Sequence, residues 1–178
     1  MAHRHCAETL RAGDGIGSDL LHGALAGALA WWAMDQLLRY LYDHMDPQVR
    51  RREDAARGGV PALEVMAQRM AGPVGLTLSE EERQRAGTAL QWVTGSGAGM
   101  LYAALRDRIP GSGMRRGLAY GAAFALVMDE GMIPLLGFSP GPLAFPWQTH
   151  ARGLAGHLVY GVVVELAMQG LESYGGLC

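Results

Sequence analysis

The sequence has no lysine, and all 15 of its basic residues are arginine. They are offset by 17 acidic residues, which gives a formal net charge of -2 at pH 7. A protein that binds nucleic acid needs a surplus of positive charge to replace the counterions of the phosphate backbone. We therefore exclude nucleic acid as a partner.

Cysteine is also scarce, and its two copies, Cys6 and Cys178, stand at opposite ends of the chain. This spacing defines neither a zinc site nor a disulfide framework. His3, His5 and Cys6 resemble a small metal-binding tail, but a flexible terminus is the favoured interpretation. The sequence lacks the fingerprints of phosphate-binding loops, serine hydrolases and dinucleotide-binding folds. An enzyme is therefore the less favoured class.

Charge is low and glycine is abundant: charged residues make up 18% of the chain, and 26 residues are glycine. Four apolar windows have the length of about 20 residues that crosses a bilayer. They are apolar almost all round, which favours spanning helices over a soluble four-helix bundle. The sequence predicts one domain, 1–178, that is an all-α integral membrane four-helix bundle in the lipid bilayer. The predicted spans are 19–42, 86–106, 115–137 and 151–172.

The first and third spans repeat each other without gaps, since HGALAGALAWWAMDQ at 22–36 aligns with RGLAYGAAFALVMDE at 116–130. The second and fourth spans align more weakly, with Gln91 on His157. The chain is therefore predicted to be a duplicated two-helix hairpin. Glycines four residues apart let helix backbones approach closely in lipid, so we expect them to pack helices and to support a homo-oligomer. These glycines are Gly23, Gly27, Gly95, Gly99, Gly117 and Gly121.

Most of the charge lies in the polar segment 43–85 between the first two spans. Asp46 and Pro47 are expected to end the first helix, and residues 50–54 to form a solvated stretch. A short amphipathic helix is predicted from Pro61, either in the membrane interface or packed against the bundle. Ser79 and Glu82 form the pattern of a capping box at the start of the next long helix.

Arginine in the short connections indicates the orientation of the protein. The turn between the second and third spans carries four arginines, whereas the connection between the third and fourth has no charge. Positive loops remain on the cytoplasmic side, so both termini are predicted to be cytoplasmic. The four arginines are Arg106, Arg108, Arg115 and Arg116.

Ionisable side chains within the predicted spans need an explanation, because each costs about 2.5–3.5 kcal/mol at the centre of a spanning helix. A rise of about 1.5 Å per residue along two antiparallel spans places Asp129 and His157 at the same depth in the membrane. The internal repeat aligns Asp35 with Asp129, so Asp35 is expected at that depth too. The chain is therefore expected to contain one polar layer. It can be a structural pairing, a site that handles protons or a cation, or a divalent metal site if three or four ligands converge. The candidates are Asp35, Asp129, Glu130, His157 and Glu165.

The run MIPLLGFSPGPLAFPW at 132–147, followed by GHLVYG at 156–161, resembles the C-terminal half of the YagU-like bacterial inner-membrane proteins. The likeness covers residues 115–168 well, and the first half only through its glycine-rich span. It implies a small multi-pass protein of the bacterial inner membrane, in which His157 stands at the Gly-His position of the family. The family has no settled biochemical activity, so the resemblance predicts location and fold rather than chemistry.

Two hypotheses for the function follow from the sequence. In the first, the buried carboxylate and histidine layer handles protons or a cation. In the second, the chain is a non-catalytic structural or assembly subunit of a larger membrane complex.

Overall fold

The computed structural model describes the backbone of residues 2–175 and the side chains of residues 17–173. Over that part of the chain the regular structure is entirely helical, so the predicted all-α class is confirmed. His3, His5, Cys6 and Cys178 lie outside the described side chains. The helices are α1 (Ala2–Asp43), α2 (Pro47–Arg57), α3 (Ala62–Ala71), α4 (Glu80–Leu105), α5 (Met114–Leu135) and α6 (Trp147–Gly175).

Two of these helices, α5 and α6, are long and apolar enough to cross a membrane. They correspond to the third and fourth predicted spans, 115–137 and 151–172. The helices that contain the first and second predicted spans, α1 and α4, have the length but do not reach the same apolar character within the described residues. Length and composition thus support two of the four predicted spans.

The glycines of α1 pack on those of α4. A Cβ atom at Gly23 would lie 2.6 Å from the carbonyl oxygen of Gly99, and one at Gly27 would lie 2.5 Å from that of Gly95. Any side chain at these positions would therefore push the two backbones apart.

The second half of the chain repeats this contact between α5 and α6. Gly117 lies against Gly161, and Gly121 lies against the backbone of His157, with no room for a side chain at either glycine. Because the glycines are buried against neighbouring helices of the same chain, a homo-oligomer would have to form through another surface.

The polar segment between α1 and α4 folds onto the ends of the long helices. Asp46 caps α2 by accepting from the backbone N–H of Gln48 at 2.7 Å. The prediction that residues 50–54 form a solvated stretch is wrong for Glu53, whose side chain is completely buried. Two arginines and a threonine that surround its carboxylate stabilise the buried charge.

Helix α3 begins after Pro61 and packs against α4. Glu64 of α3 accepts from Arg83 of α4 at 3.0 Å, and Gly87 leaves the space that Glu64 occupies. Of the two locations considered for this amphipathic helix, the contacts correspond to packing against the bundle.

The capping box at the start of α4 is present as the sequence predicts. The backbone N–H of Ser79 donates to Glu82 at 2.9 Å, and the backbone N–H of Glu82 donates to the Ser79 hydroxyl at 3.3 Å. The Ser79 N–H and hydroxyl favour the ionised carboxylate and hold the pKa of Glu82 below its usual value. The capping box thereby fixes the start of helix α4, about four turns before Gly95.

Candidate functional site

The candidate site begins with a local widening of α5. Residues Leu126–Met132 are π-helical, and the N–H of Ile133 donates to the carbonyl of Met128, five residues back. Pro134 explains the widening, because it has no N–H and its ring crowds the carbonyl of residue 130. Such segments are frequent at functional sites, and this one contains Asp129 and Glu130.

Asp129 lies beside His157 of α6. The His157 Nδ1 atom is 3.4 Å from Asp129 Oδ2 and 3.0 Å from the backbone oxygen of Gly153. A carbonyl oxygen only accepts, so Nδ1 of His157 carries a proton and donates it. The His157 side chain is 4% exposed, whereas the Asp129 side chain is 37% exposed. The aspartate thus connects a buried histidine to more accessible space.

Glu130 pairs with His150, which lies two turns before His157 on α6. This contact is shorter than the one between Asp129 and His157. The His150 Nδ1 atom lies 2.6 Å from Glu130 Oε1, and its Nε2 atom lies 3.0 Å from the carbonyl oxygen of Pro142. Both contacts are hydrogen bonds when Nε2 donates to the carbonyl and one further proton lies between Nδ1 and the carboxyl group. The pair is either an imidazolium with a carboxylate or a neutral imidazole with a carboxylic acid. A proton can move between these two states without moving a heavy atom.

The predicted polar layer surrounds a cavity of about 370 Å³, which Asp35, Gln91, Asp129 and His157 all line. Leu63 and Met66 of α3 are also in its wall. Asp35 accepts from Arg39 at 2.8 Å within α1. Glu130 faces a second, larger cavity of about 1120 Å³, which Asp129 also lines. The sequence predicts that these residues lie at a common depth. In the structure they line two adjoining cavities.

Glu165 lies apart from this layer, eight residues after His157 and nearer the loop between α4 and α5. Its carboxylate accepts a hydrogen bond from the Tyr102 hydroxyl. It accepts a second one from the side-chain amide of Gln169, at 2.7 Å. Arg106 and Arg116 lie at 3.8 Å and 4.0 Å from it. Glu165 is 1% exposed, and these partners stabilise its buried charge within the bundle.

A packed core separates Glu165 from the two cavities. Tyr120 and Tyr160 donate their hydroxyls to backbone oxygens of Ala98 and Gly95, each at 2.7 Å. Phe124 lies between these rings and His157, with its centroid 5.5 Å from that of the imidazole. Among the side chains that the structure describes, no group of three histidine, cysteine or acidic residues could hold a metal ion.

Sequence reasoning missed a second buried cluster, beside the larger cavity. Glu53 accepts from Arg57 at 2.6 Å, from Arg152 at 2.5 Å and from Thr149 at 2.9 Å. The guanidinium of Arg152 also lies 5.0 Å from the centre of the Tyr42 ring. The cluster joins α2 to the start of α6. The pairing of Glu53 and Arg57 at i and i+4 is the one signal visible in the sequence.

Comparisons with protein-family models, with curated proteins and with solved structures found no match to this chain.

Proposed function

We propose that the chain is an integral membrane protein in which α1 and α4 span the bilayer together with α5 and α6. The outward face of α1 supports this, because four of its large apolar side chains are each more than half exposed. A soluble protein rarely leaves so continuous an apolar stripe in water, whereas lipid solvates it. The four side chains are Leu21, Leu25, Leu29 and Trp32.

The interior supports the same arrangement. His157 and Glu165 are almost completely buried, while leucines of α1 and α6 face outward. An amphipathic soluble bundle keeps its outward face polar, whereas here large apolar side chains occupy the outward faces of α1 and α6. We extend the proposal to the predicted orientation, with the arginine-rich turn around Arg106 and Arg116 on the cytoplasmic side.

Membership of the YagU-like inner-membrane proteins belongs to this proposal, and the residues that carry the resemblance have defined contacts. A Cβ atom at Gly156 would lie 2.7 Å from Leu38 of α1, so glycine permits the approach of α1 to α6. His157 follows it directly and faces Asp129. The Gly-His pair thus combines close helix packing with an ionisable group at the cavity.

We further propose that the two carboxylate and imidazole pairs exchange protons with the side on which the larger cavity opens. The observation that carries the proposal is the contact of Glu130 with His150 at 2.6 Å, which is short enough for the two groups to share a proton. Protons fit better than a metal ion, because no three ligands converge among the described residues. Histidine is the side chain whose charge changes between about pH 5 and pH 8.

Proton uptake by the full chain in lipid nanodiscs, titrated between about pH 8 and pH 5, tests this proposal. The double variant His150→Gln, His157→Gln is expected to lose up to two protons from the uptake, because an amide has no ring nitrogen that binds a proton in this range. Asp107→Asn, an exposed aspartate before α5, serves as the matched control and is expected to leave the uptake unchanged within this range.

Unchanged proton uptake in a folded double variant would overturn the proton proposal. Circular dichroism and size-exclusion chromatography establish that the variant is folded. Proton flux in proteoliposomes then distinguishes exchange at one side from transport across the bilayer.

The packed core favours a second candidate, a non-catalytic subunit of a larger membrane complex. Tyr102, Tyr160, Val164 and Met168 are at most 1% exposed and fill the space between the cavities and the opposite end. A subunit with a purely structural role needs no path for protons or ions through this core. Purification in mild detergent separates the candidates, since a stable isolated protein without partners argues against the assembly role.

A further inference from the structure

The smaller cavity, of about 370 Å³, has a mainly apolar wall with a few ionisable groups. Its volume lies within the range of about 300–1,000 Å³ that is typical of small-ligand pockets. Three aromatic rings and four methionines belong to the wall, which suits a ligand with an apolar or aromatic body. The rings are those of Trp31, Phe124 and Phe138, and the methionines are Met34, Met66, Met128 and Met132.

The charges in this wall leave one carboxylate without an arginine partner. The wall contains two carboxylates and one guanidinium, those of Asp35, Asp129 and Arg57. Asp35 pairs with Arg39 at 2.8 Å, and Arg57 pairs with Glu53 at 2.6 Å. Asp129 has only an imidazole as its ion-pair partner among the described residues. The wall therefore keeps one negative charge while that imidazole is neutral.

The imidazole beside Asp129 adds a second hydrogen-bond acceptor. His157 is almost completely buried, and its Nδ1 atom donates to the carbonyl oxygen of Gly153 at 3.0 Å. In the neutral ring Nε2 therefore carries the lone pair. Nε2 has no hydrogen-bond partner within the part of the chain that the structure describes. Because the ring lines the cavity, a ligand bound there can reach this atom.

We infer that the smaller cavity binds an organic amine in its protonated form. An ammonium group donates hydrogen bonds, and both the Asp129 carboxylate and Nε2 of His157 accept them. The apolar body of the amine lies among the rings and methionines of the wall, where aromatic faces also attract a positive charge. An anion would be repelled by Asp129, and a neutral molecule would leave its charge unpaired. The inference goes beyond proton exchange, because binding requires only the ionised form of Asp129.

Isothermal titration calorimetry of the full chain in phosphatidylcholine nanodiscs tests the inference, with the heat of empty nanodiscs subtracted. Three probes of similar shape differ in charge at about pH 8, since an alkylamine is protonated there and a carboxylic acid is ionised. They are 4-phenylbutylamine, 4-phenylbutanol and 5-phenylpentanoate. One amine is expected to bind per chain, at least about tenfold more tightly than the alcohol or the acid, because it alone forms a charge-assisted hydrogen bond with Asp129.

Asp129→Asn keeps the shape of the side chain and removes its charge. The variant is expected to lose the preference for the amine over the alcohol, because an amide cannot pair with an ammonium ion. Asp107→Asn, at an exposed aspartate outside the cavity wall, is the matched control and is expected to keep the preference.

A second pair of variants tests the cavity without changing its charge. Met66→Trp places a large ring in the wall on α3 and is expected to abolish binding of the amine. Met70→Trp changes the same residue type one turn further along α3, at a position that is 60% exposed and outside the wall. It is expected to bind the amine as the unaltered chain does.

Equal affinity for the three probes would contradict the inference, and so would unchanged binding of the amine by folded Asp129→Asn or Met66→Trp. The proton proposal is tested separately, by proton uptake in the absence of any amine. Proton uptake that depends on His150 and His157 in a chain that binds no amine refutes this inference alone. Binding of the amine by a chain whose uptake does not depend on these histidines supports the inference and refutes proton exchange.

Discussion

Replacing Glu53 by alanine is expected to destabilise the protein by about 3–5 kcal/mol, the effect of removing one partner from a buried ion pair. The Glu53 carboxylate is completely buried, and Arg57, Arg152 and Thr149 all donate to it. Without it, two guanidinium groups repel each other with no acceptor between them. Glu53→Gln keeps the shape but not the charge, so it is expected to recover little of the loss. Unfolding in mixed micelles, followed by circular dichroism, measures the free energy.

The chain contains a matched control for this prediction. Glu81 and Arg85 are also four residues apart on one helix, and their atoms approach to 2.5 Å, against 2.6 Å for Glu53 and Arg57. Both members of the control pair are about three-quarters exposed. Glu81→Ala is therefore expected to cost under about 1 kcal/mol. If the two alanine variants lost equal stability, burial would not be the source of the effect.

The burial of Glu53 also shows where the sequence fails as a guide. The stretch RRRED is as hydrophilic as any in the chain, and hydrophilicity predicts exposure. The partners that stabilise the buried carboxylate, Thr149 and Arg152, are 96 and 99 residues away along the chain. No local pattern carries that information, so only the tertiary fold reveals the cluster.

The all-helical fold was predictable, because its signals are local. Long apolar runs, the capping box at Ser79 and the glycine spacing are properties of single helices. The repeat of the first span in the third was informative, since Gly23 and Gly117 each lie against a glycine of the next long helix. The alignment of the second span with the fourth was wrong by one turn, because the contacts make Gly99, not Gly95, the equivalent of Gly161. Two of the spans, in α1 and α4, remain predictions.

The sequence predicts the level of the candidate site along the helices, but not the side-chain contacts within it. Helix rise places Asp129 and His157 at one level, and their atoms lie 3.4 Å apart. The partner of Glu130 could not be deduced, because the π-helical turn changes the direction in which residues 129 and 130 point. Glu165 shares a helix face with His157 but lies two turns away from the layer. Periodicity assigns a residue to a face, and that is not enough to assign it to a site.

The glycine contacts predict a large difference between two neighbouring positions of α4. Gly99→Ala is expected to destabilise the protein by about 1–3 kcal/mol or more, because the added methyl group overlaps the backbone of Gly23 and Gly27. Gly97→Ala adds the same methyl group where no atom lies within 4 Å. It is expected to be neutral, or to stabilise by up to about 1 kcal/mol through helix propensity. Unfolding in mixed micelles compares the two variants directly.

The duplicated hairpin allows the same comparison in the second half of the chain. Gly161→Ala overlaps the backbone of Gly117, whereas Gly170→Ala on the same helix meets nothing within 4 Å. If each half of the chain packs through its own glycine contact, both overlapping variants lose stability and both controls keep it. A loss confined to Gly161→Ala would mean that the contact between α1 and α4 adapts while the one between α5 and α6 does not. The two halves would then share a sequence pattern without sharing its energetic role, because backbones in contact cannot absorb a methyl group unless a helix moves.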